Sequence, residues 1–251
     1  MLREETVFGP IYSRRLGSSL GINLLPEKGK ICNFDCIYCE CGWNRDGLGD
    51  RKIPSAAEVR EALEAKLAQC AADSVAIDSI TFSGDGEPTL NPEFPQIIDD
   101  TLALRDRYYP LSKVSVLSNA TRAHIPAVFA ALRKVDNPIM KIDAPTDALV
   151  ARINRPAPGY SLARVLEALK GFGGDFVLQT MFLRSADFDT SSPEVLDGWI
   201  KIVRELRPRE IMVYTIARPT PEQNLQKFTP EQMRSLVSPL LDEGFNISIR
   251  G

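Results

Sequence analysis

The 251-residue sequence predicts an α/β fold with a parallel sheet. Three observations predict it. Short β-rich runs alternate with segments that open on helix-start signals, about six times over. There is no internal repeat and no low-complexity tract. The composition, 44% apolar and 25% charged, is that of an ordinary globular chain. A β-α-β-α order implies right-handed crossovers between parallel neighbours. Such units make either an open doubly wound sheet or a partial barrel in one domain. Either way, a site is expected at the carboxyl ends of the strands.

Residues 1–20 precede the first unit and are a candidate cover for the barrel mouth. Ile22–Leu25 reads as the first strand. Ser55-Ala56-Ala57-Glu58 is a capping box after Pro54, opening a helix to about residue 72. Ser79–Ser83 reads as the second strand. Asn91-Pro92 pairs an N-cap residue with proline at the first helical position. Lys113–Leu117 reads as the third strand, and a helix is expected over about residues 124–135. Ile139–Asp143 is the fourth strand. Ser161 opens a helix that ends near Gly171 or Gly173. Phe176–Phe182 is the fifth strand, Ser192-Pro193 starts the next helix, and Ile211–Ile216 is the sixth strand. Thr229-Pro230-Glu231-Gln232 combines both capping devices. Phe245–Ile249 is a short extra strand.

The net charge is −3, from 30 basic and 33 acidic residues. A generic nucleic-acid binder carries a clear positive excess, so nucleic acid is not favoured as a partner. No apolar run reaches the 18 residues of a membrane span. The start, MLREETVFGP, has no apolar stretch of the secretory kind. The expectation is a cytoplasmic protein with reduced thiols.

Four of the five cysteines lie within "CNFDCIYCEC", residues 32–41. An odd, bunched set argues against a disulfide framework. Three other uses compete. Structural zinc wants four ligands, usually as two separated pairs, and the single histidine is His124. A redox pair would use Cys36 and Cys39, in a smaller thioredoxin-like fold. An iron–sulfur cube held by Cys32, Cys36 and Cys39 would keep one iron open for a small molecule. Cys41 reads as a bystander, the alternative being a ligand to something else. Cys70 lies at helical spacing with Val59, Leu63 and Leu67 and reads as a buried apolar residue.

Other polar candidates collect at strand ends. They are Gly84-Asp85-Gly86-Glu87 after the second strand, Ser118-Asn119 after the third, Lys141 and Asp143 on the fourth, and Gln179 on the fifth. Period-two alternation puts Ile139, Lys141 and Asp143 on one face and Met140 and Ile142 on the other. Lys141 is then either a catalytic group or one half of an ion pair with Asp143.

The C-x3-C-x2-C loop after the first strand, with Tyr38 before its last cysteine, resembles the hallmark of the radical SAM superfamily. The Gly84–Glu87 turn resembles that family's Gly-Gly-Glu-like turn, and glycine there lets backbone approach a ligand closely. The resemblance implies a partial (β/α)6 TIM-like barrel. It implies a [4Fe–4S] cluster on Cys32, Cys36 and Cys39, with S-adenosylmethionine on the open iron. Reductive cleavage would give a 5′-deoxyadenosyl radical that abstracts hydrogen from a substrate, in an oxidoreductase or transferase. By the same analogy the Gly84–Glu87 turn takes the methionine amine. Ser118, Asn119 and Asp143 take the carboxylate or ribose, and Gln179 and Tyr214 line the nucleoside. An external one-electron donor of the flavodoxin or ferredoxin kind is implied. The alternative from another class is a non-catalytic iron–sulfur or zinc protein.

A narrower likeness lies in the segment Gly9–Ile22, in "SGDGEPTLNPEF", and in "KIDAP" followed by "INRP". These are similar to the radical SAM group of the wyosine-forming tRNA enzymes. Those enzymes carry a second cluster on cysteines ahead of the first motif, where this sequence has none. Arg14, Arg15, Arg155 and Arg218 are candidates for a substrate phosphate or carboxylate. The proline-rich stretch Thr215–Thr229 has the length of a functional cover.

Overall fold

The structure, a computed structural model, describes residues 5–13, 16–46 and 49–251. It is an α/β fold with a mostly parallel sheet of eight strands. The chain packs as two compact units. The first holds the described residues up to Asn33, with Asn44–Ser118 and Arg122–Pro138. The second holds Phe34–Trp43, Asn119–Thr121 and Ile139–Gly251.

In the first unit, β1 (Val7–Ser13) runs antiparallel to β2 (Gly17–Ile22), with Val7 opposite Ile22. β3 (Ser79–Phe82) and β4 (Lys113–Ser118) follow in parallel, with Ile22 opposite Phe82 and Phe82 opposite Val116. Leu20, Ile22, Ile80, Phe82, Val114 and Val116 are all fully buried. Such continuous apolar runs are what parallel strands covered on both faces require. α1 (Ala56–Ala72) opens on the expected Ser55–Glu58 capping box and buries Val59, Leu63, Leu67 and Cys70. α2 (Phe94–Tyr108) and α3 (Pro126–Leu132) complete this unit. Phe94 meets Phe82 edge-on at 6.3 Å.

Several expected boundaries move: the fourth expected strand is Asn137–Lys141 and the sixth is Glu210–Tyr214. Two other shifts have a visible cause. The first parallel strand is Gly17–Ile22, and the apolar Leu24 and Leu25 anchor its exit loop. Asn23 ends the strand, because its Oδ1 accepts from Leu25 N at 3.2 Å and from Asp85 N at 3.1 Å. Asn91 does not cap the next helix, which begins at Phe94 with Glu93 as N-cap. Its amide instead donates to Leu24 O at 3.2 Å and Pro54 O at 2.9 Å, and its Oδ1 accepts from Glu93 N.

β5 (Asn137–Lys141) leads into the second unit. There α4 (Asp147–Ile153) and α5 (Leu162–Lys170) precede β6 (Val177–Met181) and the two-residue β7 (Leu183–Arg184). α6 (Pro193–Leu206), β8 (Glu210–Tyr214) and the short β9 (Gln226–Lys227) follow. α7 (Pro230–Leu236), α8 (Ser238–Asp242) and β10 (Ile247–Arg250) end the chain. β5, β6, β8 and β10 are parallel neighbours in that order, and β7 pairs antiparallel with β9. Ser161 and Thr229 cap α5 and α7 as expected, and Ser192 precedes Pro193 at the start of α6. Trp199 packs edge-on against Phe182 at 5.4 Å, and its indole donates to Thr180 Oγ1 at 3.0 Å. α4 was not expected. It is seven residues long, capped by Thr146, and ended by Arg155 in the left-handed region at φ +45.

Candidate active site

In the second unit, the stretch carrying Cys36, Tyr38 and Cys39 is moulded on the end of α4. Ile37 N donates to Ile153 O at 3.0 Å, and Asp35 N donates to Asn154 O at 2.9 Å. Cys39 N closes a turn onto Cys36 O at 3.1 Å. The Asn154 side chain, buried to 1% exposure, reaches three acceptors with one nitrogen. They are Asp143 Oδ2 at 2.7 Å, the Tyr38 hydroxyl at 3.2 Å and Cys36 Sγ at 3.3 Å.

Asp143, just past β5, gathers this network. It accepts from the Tyr38 hydroxyl, from Asn154 and from Met181 N at 2.8 Å. Lys141 Nζ lies 3.7 Å from Asp143 Oδ1, donates to the Tyr214 hydroxyl, and sits over the rings of Tyr38 and Tyr214 at 5.2 and 4.9 Å. Of the residues expected to alternate, Ile139, Met140, Ile142 and Asp143 are all buried, and Lys141 meets Asp143 as the expected pair. Burial works against the lysine's charge, but Asp143 and then Tyr214 outweigh it and hold the ammonium's pKa above the usual lysine value. Burial, reinforced by Asp143, holds the Tyr38 hydroxyl well above the ordinary tyrosine range. Burial also pushes the Cys36 thiol up to about 11, with Asn154 opposing.

Gln179 pairs in register with Lys141 of β5 and Met212 of β8. It is 4% exposed, and its Nε2 has no hydrogen-bond partner among the described residues. A buried orphan donor is costly, so this amide fits a position completed by a ligand. Asn119 accepts from Thr121 N at 3.1 Å and Thr121 Oγ1 at 2.7 Å, bracing a turn through Ala120 at φ +62.

In the first unit, the Gly84–Glu87 turn bonds to the residue beside Cys32. Ile31 N donates to Asp85 O and Glu87 N donates to Ile31 O, both at 3.1 Å. Gly86 adopts φ +141, and a Cβ there would lie 1.9 Å from Ile31 O. Glu87 is buried and accepts from Thr89 N at 3.2 Å, Thr89 Oγ1 at 2.6 Å and Ser118 Oγ at 2.8 Å. Asn44 Nδ2 donates to Cys32 O at 3.0 Å.

The arginine candidates fare differently. Arg14 and Arg15 lie outside the described residues. Arg155 donates to Glu222 at 2.8 Å and stacks over Trp43 at 4.6 Å, and Arg218 donates to Glu40 at 2.6 Å. Glu222 also takes Arg152 at 2.5 Å, and its N donates to Ile37 O at 3.1 Å. The Thr215–Thr229 stretch is thereby tied to the cysteine stretch. Sequence reasoning missed Asn154, Arg152 and Glu222; for Asn154 the signal was the helix stop in Asn154-Arg155-Pro156. Among the described residues, no three Cys, His, Asp or Glu side chains are grouped to hold a single metal ion. No helix among them is long and apolar enough to cross a membrane.

A UPF0026 protein of Synechocystis sp. is 33% identical over 225 residues, covering 86% of this chain and 77% of that protein. A protein of Brachyspira hyodysenteriae named GTPase Obg is 28% identical over 236 residues, but this chain spans only 33% of its length. Among solved structures, Streptococcus suis SuiB bound to S-adenosylmethionine matches with TM-score 0.66 at 16% identity, over 92% of this chain and 50% of SuiB. TYW1 with a lysine-pyruvate adduct bound matches with TM-score 0.64 at 14% identity, over 91% and 75%. Both show the same fold. The Radical SAM superfamily model matches residues 27–184, from ahead of Cys32 to the end of β7, so the chain belongs to the radical SAM superfamily, alongside the UPF0026 proteins.

Proposed function

We propose that the chain is a radical SAM enzyme acting on a substrate still to be identified. The superfamily uses a [4Fe–4S] cluster and S-adenosylmethionine. When bound, these supply a 5′-deoxyadenosyl radical after one-electron reduction. The chain's residues fit the pair. Cys32, Cys36 and Cys39 offer three thiolates for four irons. The Gly84–Glu87 turn would take the methionine amine, and Ser118, Asn119 and Asp143 the carboxylate or ribose. Gln179, with its orphan amide, and Tyr214 would border the nucleoside. Lys141 enters as a fixed cation rather than a free base, since Asp143 and Tyr214 already hold it.

The observation that carries this reading is the Ile31 bridge. Two backbone hydrogen bonds fasten the glycine turn to the residue next to Cys32, as a shared ligand for both motifs would require. A mere cluster holder has no use for that turn. The motif likeness and the TYW1 fold support a place near the wyosine-forming group, while the net charge of −3 favours a substrate smaller than a tRNA. Reduced thiols suit a cytoplasmic setting, with an external flavodoxin- or ferredoxin-like donor supplying the electron.

The test is anaerobic reconstitution with iron and sulfide, then strong reductant with S-adenosylmethionine. Release of 5′-deoxyadenosine is expected. A colourless protein that binds one zinc, or a cluster that never cleaves S-adenosylmethionine, overturns the proposal.

A further inference from the structure

The Asn154 side chain touches a candidate cluster ligand and the buried carboxylate network together. Its amide has two hydrogens and three acceptors in reach: Asp143 at 2.7 Å, the Tyr38 hydroxyl at 3.2 Å and Cys36 Sγ at 3.3 Å. Asp143 takes one hydrogen at the shortest distance. The other is contested. The Tyr38 oxygen is the weaker claimant, because that hydroxyl, which donates to Asp143, is a neutral acceptor. A metal-bound sulfur carries negative charge, and charge-assisted hydrogen bonds are the stronger ones.

We propose that Asn154 is a positioning residue that donates an N–H to the Cys36 sulfur and thereby raises the reduction potential of a cluster held there. The inference rests on the cluster reading of Cys32, Cys36 and Cys39. A reduced cluster carries one more negative charge than an oxidised one. A hydrogen-bond donor at a ligand sulfur therefore stabilises the reduced form more, and such donors set cluster potentials.

The backbone supports this assignment. A helix cap needs only the main chain, and Asn154 N already caps α4 by donating to Val150 O. Its side chain is free for another task, and it is buried. The carbonyls of Ile153, Asn154 and Arg155 all accept from the cysteine stretch, so the amide and the sulfur are held in one frame. Arg155 at φ +45 turns the chain to make those contacts, and Glu222 N fixes Ile37 O from the other side.

The deciding experiment is a redox titration of the reconstituted cluster, followed by electron paramagnetic resonance, in wild type and Asn154→Leu. Leucine keeps the shape and removes both donors. At a fixed solution poise, the ratio of reduced to oxidised cluster should fall about tenfold, a shift of about 59 mV to lower potential for a one-electron couple. The potential is read on whatever fraction carries a cluster, so lower loading by itself does not mimic the effect. If Asn154→Leu yields no soluble protein, Asn154→Ala decides by the same measure. An unshifted potential in a cluster-bearing variant overturns this inference alone. A wild-type chain that takes up no cluster overturns the proposed function, and this inference with it.

Discussion

Replacing Gly86 by alanine tests how the glycine turn and the cysteine loop are joined. A Cβ at residue 86 would lie 1.9 Å from Ile31 O, 2.6 Å from Ile31 C and 2.7 Å from Leu25 Cδ1. Leu25 can rotate away. The Ile31 carbonyl cannot, because it accepts from Glu87 N while Ile31 N donates to Asp85 O. Relieving the clash breaks both bonds, each worth about 1 kcal/mol net. Alanine at φ +141 adds about 1–3 kcal/mol of backbone strain. The sum is about 3–5 kcal/mol. At roughly 2–4 °C per kcal/mol for a chain of this size, the Tm of the cluster-free protein should fall by about 6–20 °C. Thermal unfolding by circular dichroism reads this directly. If part of the cost is escaped by local release of the turn, S-adenosylmethionine binding by the reconstituted protein should be lost. A Gly86→Ala protein with Tm within about 2 °C of wild type and unchanged binding refutes the bridge as described.

Further outcomes follow from other contacts. Glu58 accepts from Ser55 N and Oγ and from Lys52, and these hold its carboxyl down to about 2 from 4.5. A depressed carboxyl stabilises above its unfolded pKa, and that contribution is lost as pH falls toward the folded value. The Tm gap between wild type and Glu58→Gln should therefore be full near neutral pH and narrow steadily below 4.5; a gap constant down to about pH 3 refutes it. Asp143→Asn leaves the Lys141 ammonium, 17% exposed, without its carboxylate, at a cost of about 3 kcal/mol. Adding Lys141→Met should recover part of that loss in denaturant unfolding, and strict additivity would sink the pair. Cys41→Ala should retain the wild-type iron content after reconstitution, whereas Cys36→Ala should lose it. Equal iron in both would show that Cys36 is no ligand.

Capping chemistry was legible because it is local. Ser55 with Glu58, Thr229 with Gln232, and Ser161 each bond within four residues of chain, and all three helices start where those residues stand. Strand limits were less legible. Leu24 and Leu25 are as apolar and as buried as the strand before them, and only Asn23, bonded to Asp85 sixty-two residues away, ends the ladder. β1 was hidden by Gly9-Pro10, since proline removes a ladder donor. α4 was hidden by its length, because seven residues carry too few turns for a periodic signal.

The site divides in the same way. Cys36, Tyr38 and Cys39 share one short stretch, and Lys141 and Asp143 share one strand face, so spacing alone groups each set. What spacing cannot show is that the two sets meet. The Tyr38 hydroxyl reaches Asp143 across 105 residues, and Asn154 reaches Cys36 across 118. Those contacts also bear on the two readings of Lys141, and they favour the ion pair. A lysine acting as base must shed its proton near neutral pH, which calls for a neighbourhood that disfavours the cation. Here Asp143, the Tyr214 hydroxyl and two aromatic faces all favour it. The stability tied to this raised lysine is fully present below the unfolded value of 10.5 and is lost only as pH climbs toward the higher folded one. Across the neutral range Lys141 therefore offers a constant positive charge beside Asp143. That suits the orientation of an anionic ligand group, and it does not suit proton abstraction.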